Sequence, residues 1–167
     1  MVGLLGAGCS GGGATTTSTT RAPEPAGATP SPISMMVCAH EAAREIDSAL
    51  GEKATVSTPA WVDTRYSCRY SYSTGSMEVS VKELSSWAQT KQYFNSLATT
   101  LGNSSHLSGL GQGAFQTTDG SVVVRKDWKV LLVDPTGLPA QFGMPPTSSG
   151  DVAVTVADVI LGCWAGD

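Results

Sequence analysis

The sequence predicts an α+β fold, in which an antiparallel sheet of about six strands is flanked by three helices. Two groups of segments alternate polar and apolar residues, as strands do, and segments with helical periodicity lie before, between and after these groups. Strands that follow one another directly pair antiparallel, which favours α+β over a doubly wound parallel sheet. Because some strands are apolar on one face and others on both, we expect helices on both sides of one sheet.

The first helix is predicted over Met35–Leu50, with Ser34 as its N-cap and Gly51 just after its end. Small and apolar residues recur there at helical spacing and define one face, formed by Cys38, Ala42, Ile46, Ala49 and Leu50. Alternation then predicts two strands, one carrying Tyr66, Cys68, Tyr70 and Tyr72 and the next carrying Met77, Val79 and Val81. The short Ser73-Thr74-Gly75 segment joins them as a hairpin.

A second helix is predicted to begin after Ser86, because Ser86 and Gln89 have the spacing of a capping box. Its apolar side carries Trp87, Phe94, Leu97, Ala98 and Leu101, and Gly102 ends it. In the second strand group, Asp119-Gly120 predicts a two-residue type I′ turn. The runs 122–124 and 130–133 are apolar on both faces, so we place these strands centrally, with a turn near Lys126-Asp127 between them.

The last helix is predicted to follow Pro145-Pro146 and to be capped by Ser148 or Ser149. Its apolar face would consist of Val152, Val156, Val159, Ile160, Cys163 and Trp164. The alternation at positions 152, 154 and 156 leaves a strand as the alternative.

Composition divides the chain into three parts. Between Ser10 and Pro32 there is no Ile, Leu, Val or aromatic residue, so residues 10–33 are predicted to be a disordered linker rich in Thr, Gly and Pro. Residues 34–167 are long enough for one globular domain, and residues 1–9 are interpreted as the end of a truncated lipoprotein signal peptide. A net charge of −4 with 14% charged residues lacks the basic character of a nucleic-acid binder.

Cys9 is the predicted site of lipid attachment. It follows Gly6-Ala7-Gly8, small residues of the kind that precede the acylated cysteine of bacterial lipoproteins, and Ser10 with three glycines continues the chain. The alternative is an apolar N-terminus that happens to carry a cysteine.

The other cysteines are Cys38, Cys68 and Cys163. Both Cys38 and Cys68 lie on predicted core faces, and an exported domain meets an oxidising compartment, so Cys38–Cys68 is the preferred disulfide. Pairing of Cys163 with either stays open, and Cys163 is left unassigned. Three reduced core thiols in a cytosolic protein would be the contrary case. No zinc-ligand spacing is present, and we expect neither a metal nor a cofactor.

Catalytic motifs are nearly absent from the sequence. His40 and His106 are its two histidines, and neither belongs to a recognisable motif. Gly109–Gly113 has the glycines of a phosphate loop, but a strand follows where a dinucleotide site needs a helix. Other candidates are two basic groups, one on neighbouring strands (Arg65, Arg69, Lys82) and one around Trp128 (Arg125, Lys126, Lys129). Solvated surface charge is the plainer interpretation of both.

The chain resembles small mycobacterial-type cell-envelope lipoproteins of actinobacteria. The resemblance runs over nearly the whole chain and rests on the Gly-Cys pair, the Thr/Pro/Gly spacer, MVCAHE, YSCRYSY, SVKEL, GLGQGAF, VVVRKDWKVLLVD and DVILGCW. It implies a Mog1/PsbP-like α/β/α sandwich and brings no catalytic residues. We therefore expect an exported, non-enzymatic domain, held by its lipid at the outer face of the cytoplasmic membrane, that binds an envelope ligand or protein. The alternative is an envelope hydrolase or transferase with an unrecognised site, for which His106 and Ser105 are candidates.

Overall fold

The computed structural model describes residues 22–164 and shows an α+β fold. Four helices and ten strands occur in this part of the chain. In chain order they are α1 (Pro32–Met36), α2 (His40–Leu50), β1 (Thr55–Val56), β2 (Ala60–Val62), β3 (Arg65–Tyr72), β4 (Gly75–Glu83), α3 (Trp87–Leu101), β5 (Asn103–Leu107), β6 (Ala114–Thr117), β7 (Val122–Lys126), β8 (Lys129–Asp134), β9 (Gln141–Phe142), β10 (Thr147–Ser148) and α4 (Ser149–Trp164).

Eight strands form one open sheet in the order β1-β3-β4-β8-β7-β6-β5, with β2 also paired to β3, and β9 pairs with β10 separately. All of these pairings are antiparallel. The predicted fold class is confirmed, whereas the predicted numbers, about six strands and three helices, are wrong. The strands that the sequence does not reveal are short edge strands, among them β5, whose polar sequence NSSHL has no apolar alternation.

The predicted first helix is in fact two helices. α1 is capped by Ser31, whose hydroxyl accepts a hydrogen bond from the Ser34 amide, and Pro32 follows at the first helical position. The predicted cap, Ser34, is instead fully buried and donates to the Glu83 carboxylate at 2.5 Å. The chain leaves the helical conformation near Cys38, which is bonded to Cys68 of β3. With the helix interrupted here, Cys38 can bond to β3 while Ser31 and Ser34 bond to Glu83 of β4.

The two-residue turns with positive φ at both central positions are not at Asp119-Gly120. They lie at Asp63-Thr64, between β2 and β3, and at Asp127-Trp128, between β7 and β8. Between β6 and β7 only Gly120 has a positive φ, and the Asp119 carboxylate closes a longer loop by accepting from the Thr117 hydroxyl and the Ser121 amide. The sequence predicted a turn near Lys126-Asp127, one residue before the observed position, but it missed the Asp63-Thr64 turn, which contains no glycine.

The sheet buries apolar residues on both faces. Helices α2 and α4 pack together, and α4 lies on β7 and β8. The main core on this face includes Tyr70, Val79, Leu131, Val156 and Ile160. Helix α3 contacts β6, β7 and β8 over a second cluster formed by Phe115, Val123 and Val130. Since neighbouring strand residues point to opposite faces, Val123 and Val124 of β7 face different clusters.

The caps of the two long helices follow the sequence pattern. The Ser86 hydroxyl accepts from the Gln89 amide at 3.2 Å, which is one half of a capping box, while the Gln89 side chain accepts from the Ser85 amide at 3.1 Å. The Ser148 hydroxyl accepts from the Asp151 amide at 3.1 Å, which makes Ser148 the cap of α4 and excludes the alternative strand. The predicted core residues Phe94, Leu97, Ala98 and Leu101 are half-buried against the second cluster. Trp87 is 46% exposed, because the first side chains of α3 that pack on this cluster, Tyr93 and Phe94, come nearly two turns later.

Candidate functional site

The outward side chains of β3 and β4 form a polar surface on the face of the sheet that carries α3. We call it the polar sheet face; its members are Arg65, Ser67, Arg69, Ser71, Ser76, Glu78, Ser80 and Lys82. Helix α3 packs over β6, β7 and β8, beside this surface. The side chains of Arg65, Arg69 and Ser71 are exposed, so one half of this sheet face is open to solvent.

Two cations stand opposite each other on the polar sheet face. Arg65 of β3 is paired in register with Lys82 of β4. Like charges directly across a strand pair destabilise it, so an anion held between them would relieve a repulsion that the fold otherwise bears. The Lys82 ammonium donates to the carbonyl of Asp63 and lies 6.0 Å from the ring centroid of Tyr93 on α3. Tyr93 thus provides an aromatic wall beside the charge.

The next positions along these strands are hydroxyls and one carboxylate. Ser67 pairs with Ser80, which is only 3% exposed, and Ser71 pairs with Ser76. Arg69 pairs with Glu78, whose carboxylate offsets the positive charge at that end of the surface. The three predicted basic residues therefore share one face, but only Arg65 and Lys82 are brought together without an opposing acid in register. This arrangement can bind an anionic group by charge and hydrogen bonds.

The predicted Cys38–Cys68 disulfide is present, with Cα atoms 5.9 Å apart. It ties the segment between α1 and α2 to the centre of β3. The unassigned Cys163 lies in the last turn of α4, and no cysteine among residues 22–164 is a free thiol. Cys9, the predicted lipid-attachment site, lies outside the described residues.

The histidines are not assembled into a catalytic pair. His40 begins α2 and is exposed. His106 lies in the edge strand β5 opposite Phe115, while Ser105 lies opposite Gln116. Successive strand residues point to opposite faces, so the side chains of Ser105 and His106 diverge. The geometry therefore gives the predicted hydrolase or transferase alternative no nucleophile–base contact between these two residues.

The glycine-rich segment is a structural loop that enters β6, as its sequence predicts. The Gln112 carbonyl accepts from the Arg125 guanidinium at 2.7 Å, and the Gln112 amide donates to the Arg125 carbonyl at 2.8 Å. A Cβ added at Gly111 would come within 2.7 Å of Val124, so glycine is needed for close packing on β7. These contacts fix Gln112 and Gly111 against β7 and give the segment a structural role.

The basic turn between β7 and β8 is built around stacked cations. The Arg125 guanidinium lies 4.1 Å from the ring centroid of Trp87 and 5.5 Å from that of Phe94. Its Nε and Nη1 atoms are buried and have no hydrogen-bond partner within residues 22–164. The Lys126 ammonium lies 5.7 Å from the ring centroid of Trp164 and donates to that residue's carbonyl at 3.2 Å. This pairing of Arg125 with Trp87 spans two elements and is invisible in sequence spacing.

A groove of about 430 Å³ runs between α2 and α4, and its lining includes Glu45, Asp158 and Cys163. Its two carboxylates disfavour an anionic ligand there. Within the described part of the chain, no three His, Cys, Asp or Glu side chains are placed to hold a metal ion. Among residues 22–164, no helix combines the length and apolar character needed to cross a membrane.

Two buried tyrosines lie on the opposite face of β3. The Tyr70 hydroxyl donates to the Val37 carbonyl at 2.6 Å, and the Tyr72 hydroxyl is buried without a partner among the described residues. Burial raises the pKa of both phenols well above the usual range, and the nearby Asp47 carboxylate raises each pKa further. Both side chains therefore stay neutral and structural at ordinary pH.

Sequence reasoning missed Glu83, the buried acid at the end of β4. Its carboxylate accepts from the Ser31 amide at 2.8 Å and from the Ser34 hydroxyl, and it is 2% exposed. A signal was available, because Glu83 continues the alternation of Met77, Val79 and Val81 onto the core face.

Comparison of the chain with protein-family models, with curated proteins and with solved structures gave no match.

Proposed function

We propose that this chain is a non-enzymatic, exported domain, anchored at the cell envelope by a lipid on Cys9, that binds an anionic envelope ligand or partner on its polar sheet face. The observation that carries the binding proposal is the Arg65–Lys82 pair on the open half of the sheet. The neighbouring hydroxyl of Ser67, which is half-buried, adds a donor for the same ligand. A bound phosphate or carboxylate would place negative charge between two like charges and accept hydrogen bonds from both.

The proposal of export draws support from the Cys38–Cys68 disulfide. Stable disulfides form in oxidising compartments and are rare in the cytosol. The Gly-Cys pair at residue 9 and the resemblance to actinobacterial cell-envelope lipoproteins point to the same location. We likewise propose that the fold is a Mog1/PsbP-like sandwich, supported by the packing of α4 and α3 against different clusters of the sheet.

Binding is tested by calorimetric titration of the full chain with three probes: inorganic phosphate, mannose 6-phosphate and oligogalacturonate. The first two present phosphate and the third carboxylate. The R65S/K82S variant should lose at least about tenfold in affinity for the best probe, because each charge-assisted hydrogen bond is worth roughly 1.5–3 kcal/mol. The R44S/K53S variant removes the same charge from exposed positions elsewhere and should bind normally. Equal affinity in both variants would exclude the polar sheet face.

Anchoring is tested by mass spectrometry of the protein isolated from its own cells. A diacylglycerol adduct on the peptide that contains Cys9 is the expected result. A disulfide-linked peptide joining Cys9 to Cys163 would contradict it, because a sulfur that carries a lipid thioether cannot form a disulfide.

A further inference from the structure

All four tryptophans of the sequence lie at one end of the domain. Trp61 precedes the β2–β3 turn, Trp87 begins α3, Trp128 lies in the β7–β8 turn, and Trp164 ends α4. Backbone hydrogen bonds join these elements: the Leu84 amide donates to the Trp128 carbonyl at 2.9 Å, and the Glu83 amide donates to the Thr64 carbonyl at 2.8 Å. We call this the tryptophan-rich end. Its exposed apolar side chains are Trp87 and Val62, which are 46% and 59% exposed, while Trp61 and Trp128 are half-buried and Trp164 is buried beneath them.

The same end carries an excess of positive charge. Its accessible basic residues are Arg65, Lys82, Arg125 and Lys126, and its accessible acidic residues are Asp63 and Asp127, the latter 3.9 Å from the Lys126 ammonium; Lys129 and Glu83 are both buried. The Glu83 carboxylate is already bonded to Ser31 and Ser34. At the opposite end, the loops and the start of α4 carry Asp119, Asp134 and Asp151. A chain with a net charge of −4 thus has a locally cationic end.

The N-terminal segment leaves the domain at this end. The Ala26 amide donates to the Leu84 carbonyl at 3.1 Å, and the Trp61 indole donates to the Ala28 carbonyl at 2.9 Å. A chain that runs from Ala26 toward residue 1 therefore starts beside Trp61 and the end of β4. If the chain is anchored through Cys9, as proposed above, the tryptophan-rich end is the one from which the tether departs.

We infer that the tryptophan-rich end is a docking surface for anionic phospholipid, which orients the domain on the membrane. Tryptophan side chains favour the headgroup region of a bilayer, because the indole is apolar with one polar N–H. Lysine and arginine side chains are attracted to the negative surface of the same lipids. The tryptophan side chains and the basic side chains lie together at the end of the domain where the tether begins. A tether also raises the local concentration of the membrane surface to about the millimolar range, so weak contacts suffice.

The test uses the full chain with an N-terminal hexahistidine tag, held on vesicles by a nickel-chelating lipid. Tryptophan fluorescence is compared between brominated and unbrominated acyl chains, once in phosphatidylglycerol vesicles and once in phosphatidylcholine vesicles. We expect bromine quenching on phosphatidylglycerol and little on phosphatidylcholine. Absent quenching on phosphatidylglycerol, or equal quenching on both lipids, would overturn the inference. This comparison needs no variant, so it does not depend on any substitution folding correctly.

A matched pair of variants then locates the surface. V62S/K126S removes one exposed apolar side chain and one cation from the tryptophan-rich end and should lower the docking constant at least roughly fivefold, the effect of one lost cation. M144S/K53S makes the same two changes away from this end, where Met144 is 69% exposed and Lys53 is exposed, and should dock normally. Equal docking of both variants would place the contact elsewhere.

This inference rests on the proposed anchoring, but the experiments can disprove the anchoring and the membrane docking independently. The tag replaces the lipid, so the vesicle result does not depend on acylation of Cys9. An unmodified Cys9 in the native protein would remove the anchor while leaving the docking surface measurable. Neither Val62 nor Lys126 belongs to the polar sheet face, so ligand binding and membrane docking are also measured with different variants.

Discussion

The two buried tyrosines of β3 predict opposite effects for the same substitution. Tyr70→Phe removes a hydrogen bond to the Val37 carbonyl and should lower the free energy of unfolding by about 1 kcal/mol. Tyr72→Phe removes a buried hydroxyl that has no partner among the described residues and should be neutral or stabilise by up to about 1 kcal/mol. Urea unfolding of both variants tests this. Equal destabilisation would mean that the Tyr72 hydroxyl is paired in solution.

Burial of these phenols also sets the behaviour of the domain in alkali. The folded state raises the pKa of Tyr70 and Tyr72 above the usual value of 10.0, so the unfolded chain releases these protons first as pH rises. The stability they contribute is complete below pH 10 and is lost above it, with a slope of about 1.4 kcal/mol per pH unit for each tyrosine. Unfolding free energies measured from pH 8 to 11 should fall less steeply in Y70F/Y72F than in the wild type. Parallel curves would contradict the burial argument.

At the scale of single elements, the disulfide explains how α1 and α2 can be separate helices. It closes a loop across 30 positions of sequence. The chain-entropy model assigns such a loop roughly 3–4 kcal/mol of stabilisation. C38S/C68S should lose about that amount in urea unfolding while keeping the circular dichroism of the native fold. A loss below about 1 kcal/mol would contradict the chain-entropy value for this loop.

The N-terminal segment before α1 behaves as part of the domain. The predicted boundary at residue 34 would remove Ala26, Ala28 and Ser31, whose backbone groups bond to Leu84, Trp61 and Glu83. The test compares a chain beginning at residue 22 with a chain beginning at residue 34. A chain beginning at residue 34 should be less stable by at least about 3 kcal/mol, because these three hydrogen bonds, one of them to a charged acceptor, are lost together with the Ser31 cap and the first two residues of α1. Equal thermal midpoints of the two truncated chains would show that these contacts do not form.

Local sequence patterns predicted the elements in which one physical signal dominates. The alternation of Tyr66 to Tyr72 predicted β3, and the Ser86 and Ser148 caps predicted where α3 and α4 begin. A turn near Lys126-Asp127 was predicted, but the turn at Asp63-Thr64 and the positive φ of both turns were not, since strand pairing imposes positive φ on Thr64 and Trp128, which do not favour it. The short strands β1 and β2 form because β3 offers a free edge, which no local pattern encodes.

At the scale of the whole molecule, the candidate site exists because the sheet is wider than the helix α3 that packs on this face, so β3 and β4 stay largely uncovered there. Alternation alone predicted that Arg65, Arg69 and Lys82 share a face. It could not predict that α3 covers only β6 to β8 on that face, because the position of a helix over a sheet is set by distant contacts such as Phe94 with Phe115. The clustering of the four tryptophans at one end is likewise a product of topology, since they are far apart in sequence.

The link between Cys38 and Cys68 also determines how the domain would respond to mechanical load. A force applied to the N-terminus would first shear the contacts of Ala26, Ser31 and α1 with β4. Unravelling would then stop at Cys38, where the covalent bond passes the load to the middle of β3. Fully extended, the sixteen residues from 22 to 37 would span about 55 Å before the force reaches the sheet. In a domain tethered on that side, the N-terminal segment could therefore extend under force, and the Cys38–Cys68 disulfide would limit that extension.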